Sequence, residues 1–128
     1  MVREVNREDA EKFLKKAENF YEAAADERSK GRYDVAIFNS TQSIILANDA
    51  LCVALLGKRP SKDHLEAVEL HVEAAAGKEN RRDIVKDALE KRSEYGYTEI
   101  SANEKEANIL LVRAKRFLDW IKGKIGYE

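Results

Sequence analysis

Arginine and tyrosine side chains cluster in the segment KRSEYGYTEIS, residues 91–101 of this 128-residue chain. Arg92 comes first, and Tyr95 and Tyr97 follow on either side of a glycine. A guanidinium group can pair with a phosphate and a phenol ring can stack on a base, so these three side chains could contact a nucleotide or RNA. The alternative is structural, because the helix dipole favours a cation in the last turn and the tyrosines can pack at a helix end.

Histidine and cysteine are the other residue types that could do chemistry. His64 and His71 are seven residues apart, so they lie two helical turns apart and reach a common metal ion poorly. The sequence has no cysteine cluster and no HExxH motif to complete such a site, so we expect no metal. Cys52 lies in the apolar run ALCVALL, where we expect a small buried side chain in a reducing compartment.

Nucleophile and phosphate-loop motifs are also missing from the sequence. No serine lies in a GxSxG context, and no glycine-rich loop follows a predicted strand. We therefore expect no catalytic serine of that kind and no cofactor held in a P-loop or Rossmann site.

Polar residues interrupt an otherwise apolar or small segment between residues 32 and 56. A buried amide or carboxylate without a partner costs about 1–3 kcal/mol. These side chains either form hydrogen bonds that bridge helices, or they face solvent or a subunit interface. The residues concerned are Asn39, Gln42, Asn48 and Asp49.

Charge and composition indicate a soluble, single-domain protein over residues 1–128, with 44% hydrophobic residues, 37% charged residues and a formal net charge of −1. The chain opens with charged residues instead of an apolar signal region, and no stretch is apolar enough to span a membrane, so we expect a cytoplasmic location. Residues 78–128 carry 12 Lys+Arg against 10 Asp+Glu, whereas residues 1–77 carry 11 against 14. This difference is too small to predict RNA binding from charge alone.

Glycines and capping residues divide the chain into five predicted helices. Glycine enters the left-handed conformation at a helix end without a Cβ clash, and four glycines close helical patterns: Gly31, Gly57, Gly77 and Gly96. Helix starts are predicted at three cap residues and one capping box: Asn6, Ser61, Asn80 and Ser101 to Glu104. The predicted helices begin near Arg7, cover about Arg32 to Leu56, lie near 62–76 and 81–95, and begin again after Ser101.

The helices differ in which side they should bury. The first predicted helix has an apolar face made of Phe13, Leu14, Ala17, Phe20, Tyr21 and Ala24. The last has one made of Ala107, Leu110, Leu111, Ala114, Phe117, Leu118 and Ile121. The second is apolar or small on most sides and should be central, with a small-residue stripe that allows close helix approach: Ala36, Ser40, Ser43, Ala47, Ala50 and Ala54. The expected fold class is all-α, an up-down four-helix bundle with an additional short fifth helix.

The order of these helices resembles the HEPN domain family, small α-helical domains linked to nucleotide and RNA transactions. The resemblance runs through the second helix and its loop, residues 32–64, the segment ALEKRSEYGYT, and the closing helix, residues 101–125. It implies a single HEPN-like domain and a homodimer with a ligand cleft at its interface. It also implies a small nucleotidyltransferase as partner in a toxin–antitoxin-like system.

Many HEPN proteins are metal-independent RNases that use an arginine followed a few residues later by a histidine. Here Arg92 matches the arginine, but Tyr97 stands where the histidine would be, which resembles the branch with Arg…Tyr. A tyrosine side chain, with an ordinary pKa of about 10, is a poor base at neutral pH, so we expect RNase activity to be absent or very weak. Arg59 and His64 also show the motif's spacing, but they lie in a different loop and we interpret that match as coincidence.

By resemblance, Arg92 would contact phosphate, and Tyr95 and Tyr97 would stack on a base or donate a hydrogen bond. Asn39 and Asp49 would contribute from the second helix. One alternative is a weak RNase that combines Arg92 with His64 from another helix or subunit. The other is a helical dimerisation scaffold without a ligand. A dimer is also predicted because the small-residue stripe and the two terminal apolar faces exceed what a small bundle can cover alone.

Overall fold

The computed structural model describes residues 3–4, 6–60 and 64–126, and this part of the chain is dominated by five α-helices. They are α1 (Ala10–Ser29), α2 (Tyr33–Leu56), α3 (His64–Ala75), α4 (Arg82–Tyr97) and α5 (Glu104–Ile125). One turn of 3-10 helix, Arg7–Asp9, precedes α1. The prediction of an all-α fold is confirmed.

Two short extended segments were not predicted. The strand β1 (Arg3–Glu4) pairs antiparallel with β2 (Lys58–Arg59), directly after α2. Strands of two residues leave no alternating pattern in a sequence, so periodicity could not reveal this pair.

Helix α2 lies at the centre of the bundle and packs against each of the other four helices. Most of its residues from Ala36 to Val53 are buried, on all sides of the helix. This confirms its predicted central position, which follows from the absence of a continuous polar face.

The small-residue stripe of α2 is buried within the protomer, against α1 at Ser43 and against α5 at Ala36. Ser43 Oγ donates a hydrogen bond of 2.7 Å to the backbone carbonyl of Ala17, which requires the two helix backbones to approach closely. Five of the six predicted stripe residues are buried: Ala36, Ser40, Ser43, Ala47 and Ala50. The stripe is therefore occupied within one protomer and no longer argues for a dimer.

The terminal helices bury one face each, as predicted. On α5 all seven predicted positions are buried. On α1 the small or aliphatic positions Leu14, Ala17 and Ala24 are buried, whereas the aromatic residues of that face are only half-buried. Within the described part of the chain, no helix combines the length and apolar character that crossing a bilayer requires.

The first caps are close to the predicted ones. Asn6 accepts a hydrogen bond of 3.0 Å from the Glu8 amide, but it caps the 3-10 turn instead of α1 itself. Asn80 accepts one of 3.1 Å from the first amide of α4, that of Arg82. The predicted cap Ser61 lies outside the described residues.

The start of α5 differs from the prediction. The helix begins at Glu104, and its cap is Asn103, whose side chain accepts a 2.9 Å hydrogen bond from the Glu106 amide. The predicted capping box starting at Ser101 does not form. The Ala102 amide donates to the carboxylate of Asp34 on α2, and this contact holds the preceding residues outside the helix.

Gly96 was predicted to end a helix in the left-handed conformation, and this prediction is wrong. Gly96 lies inside α4, which continues to Tyr97, and its φ angle is not positive. A Cβ atom built on Gly96 would lie 2.5 Å from two ring carbons of Phe38. Real Cβ contacts are almost never so short, so a larger residue at position 96 would force the Phe38 ring of α2 to move, and glycine allows the two helices to pack closely there.

His71 is a buried core residue with both ring nitrogens paired. Its Nε2 accepts a 2.8 Å hydrogen bond from the Arg81 amide, so Nδ1 carries the proton and donates to Asn48 Oδ1 at 2.9 Å. Burial, with the nearby charge of Arg81, lowers the pKa of His71 to about 4. The neutral ring thus completes a hydrogen-bond network, and the described residues contain no group of three or more His, Cys, Asp or Glu that could hold a metal ion.

Candidate functional site

Arg92 projects from α4 toward α2 and is half-buried. Its Nη1 donates a 3.0 Å hydrogen bond to Gln42 Oε1, and its Nε is buried without a hydrogen-bond partner among the described residues. Among those residues no carboxylate lies within ion-pair distance of Arg92. The guanidinium is therefore positioned by a neutral amide, and its positive charge lacks a direct counter-ion there.

Other arginines at the edge of the core are paired differently. Arg59 donates to Asp49 at 3.1 Å, Arg81 contacts Glu79 at 2.6 Å, and Arg113 pairs with a carboxylate of α4. Pairing with a carboxylate is thus common at half-buried arginines of this protein, and Arg92 departs from it.

Asp49 lies on α2 two turns after Gln42, on the same side of the helix, and is 5% exposed. Burial raises its pKa to about 6, although the positive charges of Arg59 and Arg92 oppose that rise. Asp49 is therefore close enough to Arg92 to feel its charge, while its direct partner is Arg59, whose guanidinium also lies 4.7 Å from the centre of the Phe13 ring.

Asn39 is half-buried on α2, three residues before Gln42, and so faces the same side of the helix. We refer to Asn39, Gln42, Asp49 and Arg92 as the Arg92 cluster. The structure thus brings Arg92 and Asp49 of the predicted site close enough for their charges to interact, Gln42 binds Arg92, and Asn39 shares their face of α2.

Tyr97 lies five residues after Arg92 on α4, and its ring contacts Phe38, the residue before Asn39 on α2. It is the last residue of α4, and its side chain is 76% exposed. The Phe38 ring, one turn before Gln42 on α2, meets it edge-on with a centroid distance of 6.1 Å and an interplanar angle of 78°. Because this edge contact is its main support, the Tyr97 ring is open to stack on a planar ligand.

Tyr95 points to a different side of α4, toward α5. Its ring packs on a small apolar cluster from α2 and α5 that includes Ile37 and Leu110. Its hydroxyl donates to the carboxylate of Glu106, and this hydrogen bond, followed by burial, raises the pKa of Tyr95 to about 12. Tyr95 therefore ties α4 to α5, and its hydroxyl is already engaged.

His64 is the exposed first residue of α3. No hydrogen bond or ion pair joins it to Arg92 in the part of the chain that the structure describes. The structure thus offers no contact that would make these two residues a catalytic pair within one protomer.

Three residues near the cluster were outside the predicted site. Gln42 could have been found, because it lies seven residues before Asp49 and therefore on the same helix face. Arg59 and Phe38 gave no such signal, since their roles depend on contacts with Asp49 and with α4 that arise only in the folded protein.

The arrangement is suited to binding an anion with an attached planar group. Arg92 supplies a cationic fork held by Gln42, Tyr97 supplies an exposed ring at the end of the same helix, and Asn39 adds an amide on the face of α2 that carries Gln42. No histidine contacts these groups within the described residues, and the one carboxyl of the cluster, Asp49, is buried against Arg59.

Comparison with known proteins gives one family assignment. A family model described as HEPN domain matches residues 10–124. The matched range runs from the first residue of α1 almost to the end of α5 and includes the whole Arg92 cluster. No curated protein matches the chain significantly.

Proposed function

Because the chain belongs to the HEPN domain family, we propose that it binds a nucleotide or single-stranded RNA at the Arg92 cluster. The observation that carries the proposal is the half-buried guanidinium of Arg92, held by Gln42 without a carboxylate partner among the described residues. Such a cation is oriented in advance and gains more from a phosphate than a solvated arginine would.

The base would stack on Tyr97. Proteins that bind single strands without strict sequence preference combine cations along the backbone with exposed rings for the bases. Tyr97 provides an exposed ring on the same helix as the cation, and Asn39 can donate or accept a hydrogen bond from the face of α2 that carries Gln42. Tyr95 would support the site indirectly by fixing α4 on α5.

A homodimer forms part of the proposal. The exposed apolar side chains of Val35 and Ile100 lie at the end of the molecule where α2 begins and α4 ends. A second copy that covered them would bring two Arg92 clusters toward one cleft. The expected sedimentation mass is twice the 14.6 kDa of one chain, and a monomer mass at micromolar concentration would contradict this.

A small nucleotidyltransferase as partner, in a toxin–antitoxin-like system, is proposed from the family resemblance alone. The rival function, a weak RNase pairing Arg92 with His64, is supported by no contact between these residues in one protomer. A scaffold without a ligand would not need an arginine oriented in this way.

Replacing Arg92 with glutamine is expected to weaken binding of a labelled oligouridylate by about ten- to 150-fold. The lost charge-assisted contact is worth about 1.5–3 kcal/mol, and each 1.4 kcal/mol is about tenfold in affinity. Fluorescence anisotropy titrations measure the change. The matched control is Arg116→Gln on α5, an exposed arginine outside the cluster, which should leave the affinity unchanged.

Tyr97 is tested in the same anisotropy titration. Tyr97→Ala should weaken the binding of oligouridylate and Tyr97→Phe should retain it, because stacking needs the ring and not the hydroxyl. Melting temperatures of all variants separate binding from folding. Failure of the parent protein to bind oligouridylate or ATP, together with a lower melting temperature of Arg92→Gln, would show that Arg92 is only structural.

A further inference from the structure

Helices α4 and α5 run antiparallel and both pack on α2 more than on each other. Long side chains bridge them at three levels, as Tyr95 contacts Glu106 and Arg113 contacts Asp87. At the third level the Arg81 guanidinium lies 4.9 Å from the centre of the Trp120 ring. The space between the two helices is a surface groove of about 450 Å³.

The floor and one wall of this groove are apolar. Ile109 and Val112 on α5 are 44% and 50% exposed, among the most exposed large apolar side chains of the described helices. Ile84 of α4 and Phe117 of α5 line the groove below them. Exposed apolar side chains that adjoin one another in a groove are typical of a surface that another molecule covers.

The rim of the groove is cationic. Of the three basic residues between Glu106 and Asp119, Arg113 and Arg116 line this groove, whereas Lys115 lies outside it and pairs with Asp119 at 3.1 Å. The carboxylate of Asp87 on α4 is already paired with Arg113 and with Lys91. Arg116 is exposed and has no ion-pair partner among the described residues, so the groove retains excess positive charge.

A second groove, of about 520 Å³, lies on the other side of α5, between α5 and α1. It shares Val112 and Arg116 with the first and adds Arg28 and Lys115. Val112 and Arg116 therefore lie between the two grooves, and each groove is also lined by other basic residues.

We propose that the groove between α4 and α5 is a docking site for an acidic amphipathic helix of a partner protein. The apolar side of such a helix would cover Ile109 and Val112, and its carboxylates would meet Arg116. A helix laid into a groove between two helices is a common recognition mode, read out by apolar anchors one turn apart. The site does not include the Arg92 cluster and does not depend on the function proposed for it.

A second copy of this chain fits the groove less well. The acidic helix of the protein is α3, whose glutamates include Glu69 and Glu73, but its apolar residues Ala67, Leu70 and Ala74 face its own core. Among its large apolar side chains only Leu65 is exposed. The protein therefore lacks, in the described residues of α3, an outward stripe that combines apolar and acidic residues.

A nucleic acid also fits less well. Single-stranded RNA needs exposed rings on which bases stack, whereas the one aromatic side chain lining this groove, Phe117, is 3% exposed. Exposed aliphatic side chains provide no ring on which a base could stack, whereas the apolar face of an amphipathic helix packs well on them.

The test is an anisotropy titration of the full chain with a labelled helical peptide of about four turns, with leucine along one face and glutamate elsewhere. The control peptide has lysine in place of each glutamate. Saturable binding is expected for the acidic peptide and binding about tenfold or more weaker for the basic one. Val112→Asp and Arg116→Glu should each weaken the acidic peptide by about tenfold or more. Arg92→Gln should leave its affinity unchanged, which separates this site from the nucleotide site.

Several results would overturn the proposal. They are absence of saturable binding, equal binding of both peptides, and unchanged affinity of Arg116→Glu. Displacement of the peptide by oligouridylate even in Arg92→Gln would assign the groove to RNA. A lower sedimentation mass of Val112→Asp without peptide would assign it to a second copy. Circular dichroism melts confirm folding, and Arg116→Glu, on an exposed side chain, carries the test if Val112→Asp does not fold.

Discussion

Replacing Phe117 with alanine is expected to lower the free energy of unfolding by about 3–5 kcal/mol. Phe117 is 3% exposed, and its ring packs on those of both His71 and Trp120, with centroid distances of 6.1 and 6.0 Å. Its removal would leave a cavity and would also uncover one side of the buried histidine, whose hydrogen bonds depend on exclusion of water. Urea unfolding measures the change.

Two variants on the same helix calibrate this result. Leu110→Ala, at a position 2% exposed in the separate apolar cluster near Tyr95, should cost about 2–5 kcal/mol. Val112→Ala, 50% exposed, should change stability by about 0.5 kcal/mol or less. Equal effects at Phe117 and Val112 would show that the buried face of α5 is assigned wrongly.

Replacing Asp49 with asparagine is expected to make stability rise steeply with pH between about pH 4 and 6.5. In the parent protein two buried groups oppose each other there. The pKa of His71 falls from an ordinary 6.5 to about 4 on folding, so the unfolded chain binds the extra proton and stability rises with pH. The pKa of Asp49 rises from 3.8 to about 6, so the folded chain holds the extra proton and stability falls with pH.

The contribution of His71 is fully present above its unfolded pKa and is lost as pH falls toward 4, whereas that of Asp49 is present at low pH and is lost as pH rises through 6. The parent protein should therefore show little net slope from this pair. Asp49→Asn removes one of them and should leave a slope approaching 1.4 kcal/mol per pH unit, or about 3 kcal/mol over the window.

Urea unfolding at several pH values measures the slopes. His71→Gln is the reciprocal control, because it should leave the slope of Asp49 alone, with the opposite sign. Parallel curves for the parent protein and Asp49→Asn would show that Asp49 does not keep its proton near pH 5 in the folded state.

Burial on α5 could be predicted completely because it depends on local spacing. Residues such as Ala107, Leu111 and Ile121 recur every three or four positions, and any single helix packed on a core must bury that face. The central position of α2 follows in the same way from the lack of a polar side.

Features that depend on contacts between distant segments could not be predicted. Ser101 and Asn103 are both good cap residues. Asn103 caps α5 because the Ala102 amide donates a hydrogen bond to Asp34 and so stays outside the helix. Glycine is the residue type expected at a helix end, but Gly96 lies inside α4. The presence of a glycine there is explained by the Phe38 ring of α2, which packs closely on this position.

The candidate site shows the same division. The polar residues of α2 could be recognised as requiring partners, and Gln42, Asn48 and Asp49 do have partners in the structure. That Arg92 and Arg59 supply two of these partners could not be inferred from spacing. The divergence of Tyr95 and Tyr97 could have been inferred, because residues two apart on a helix point about 200° apart.

Cys52 provides a way to measure how often the core of the bundle opens to solvent. Its thiol is fully buried on α2, with Sγ 4.0 Å from Asn48 Oδ1, and burial raises the pKa of the thiol. Alkylating reagents attack an exposed thiolate, so the native thiol should be silent toward them. Its labelling rate therefore reports how often the centre of the bundle opens to solvent, and cysteines introduced at the surface for spectroscopic probes would react without a background signal.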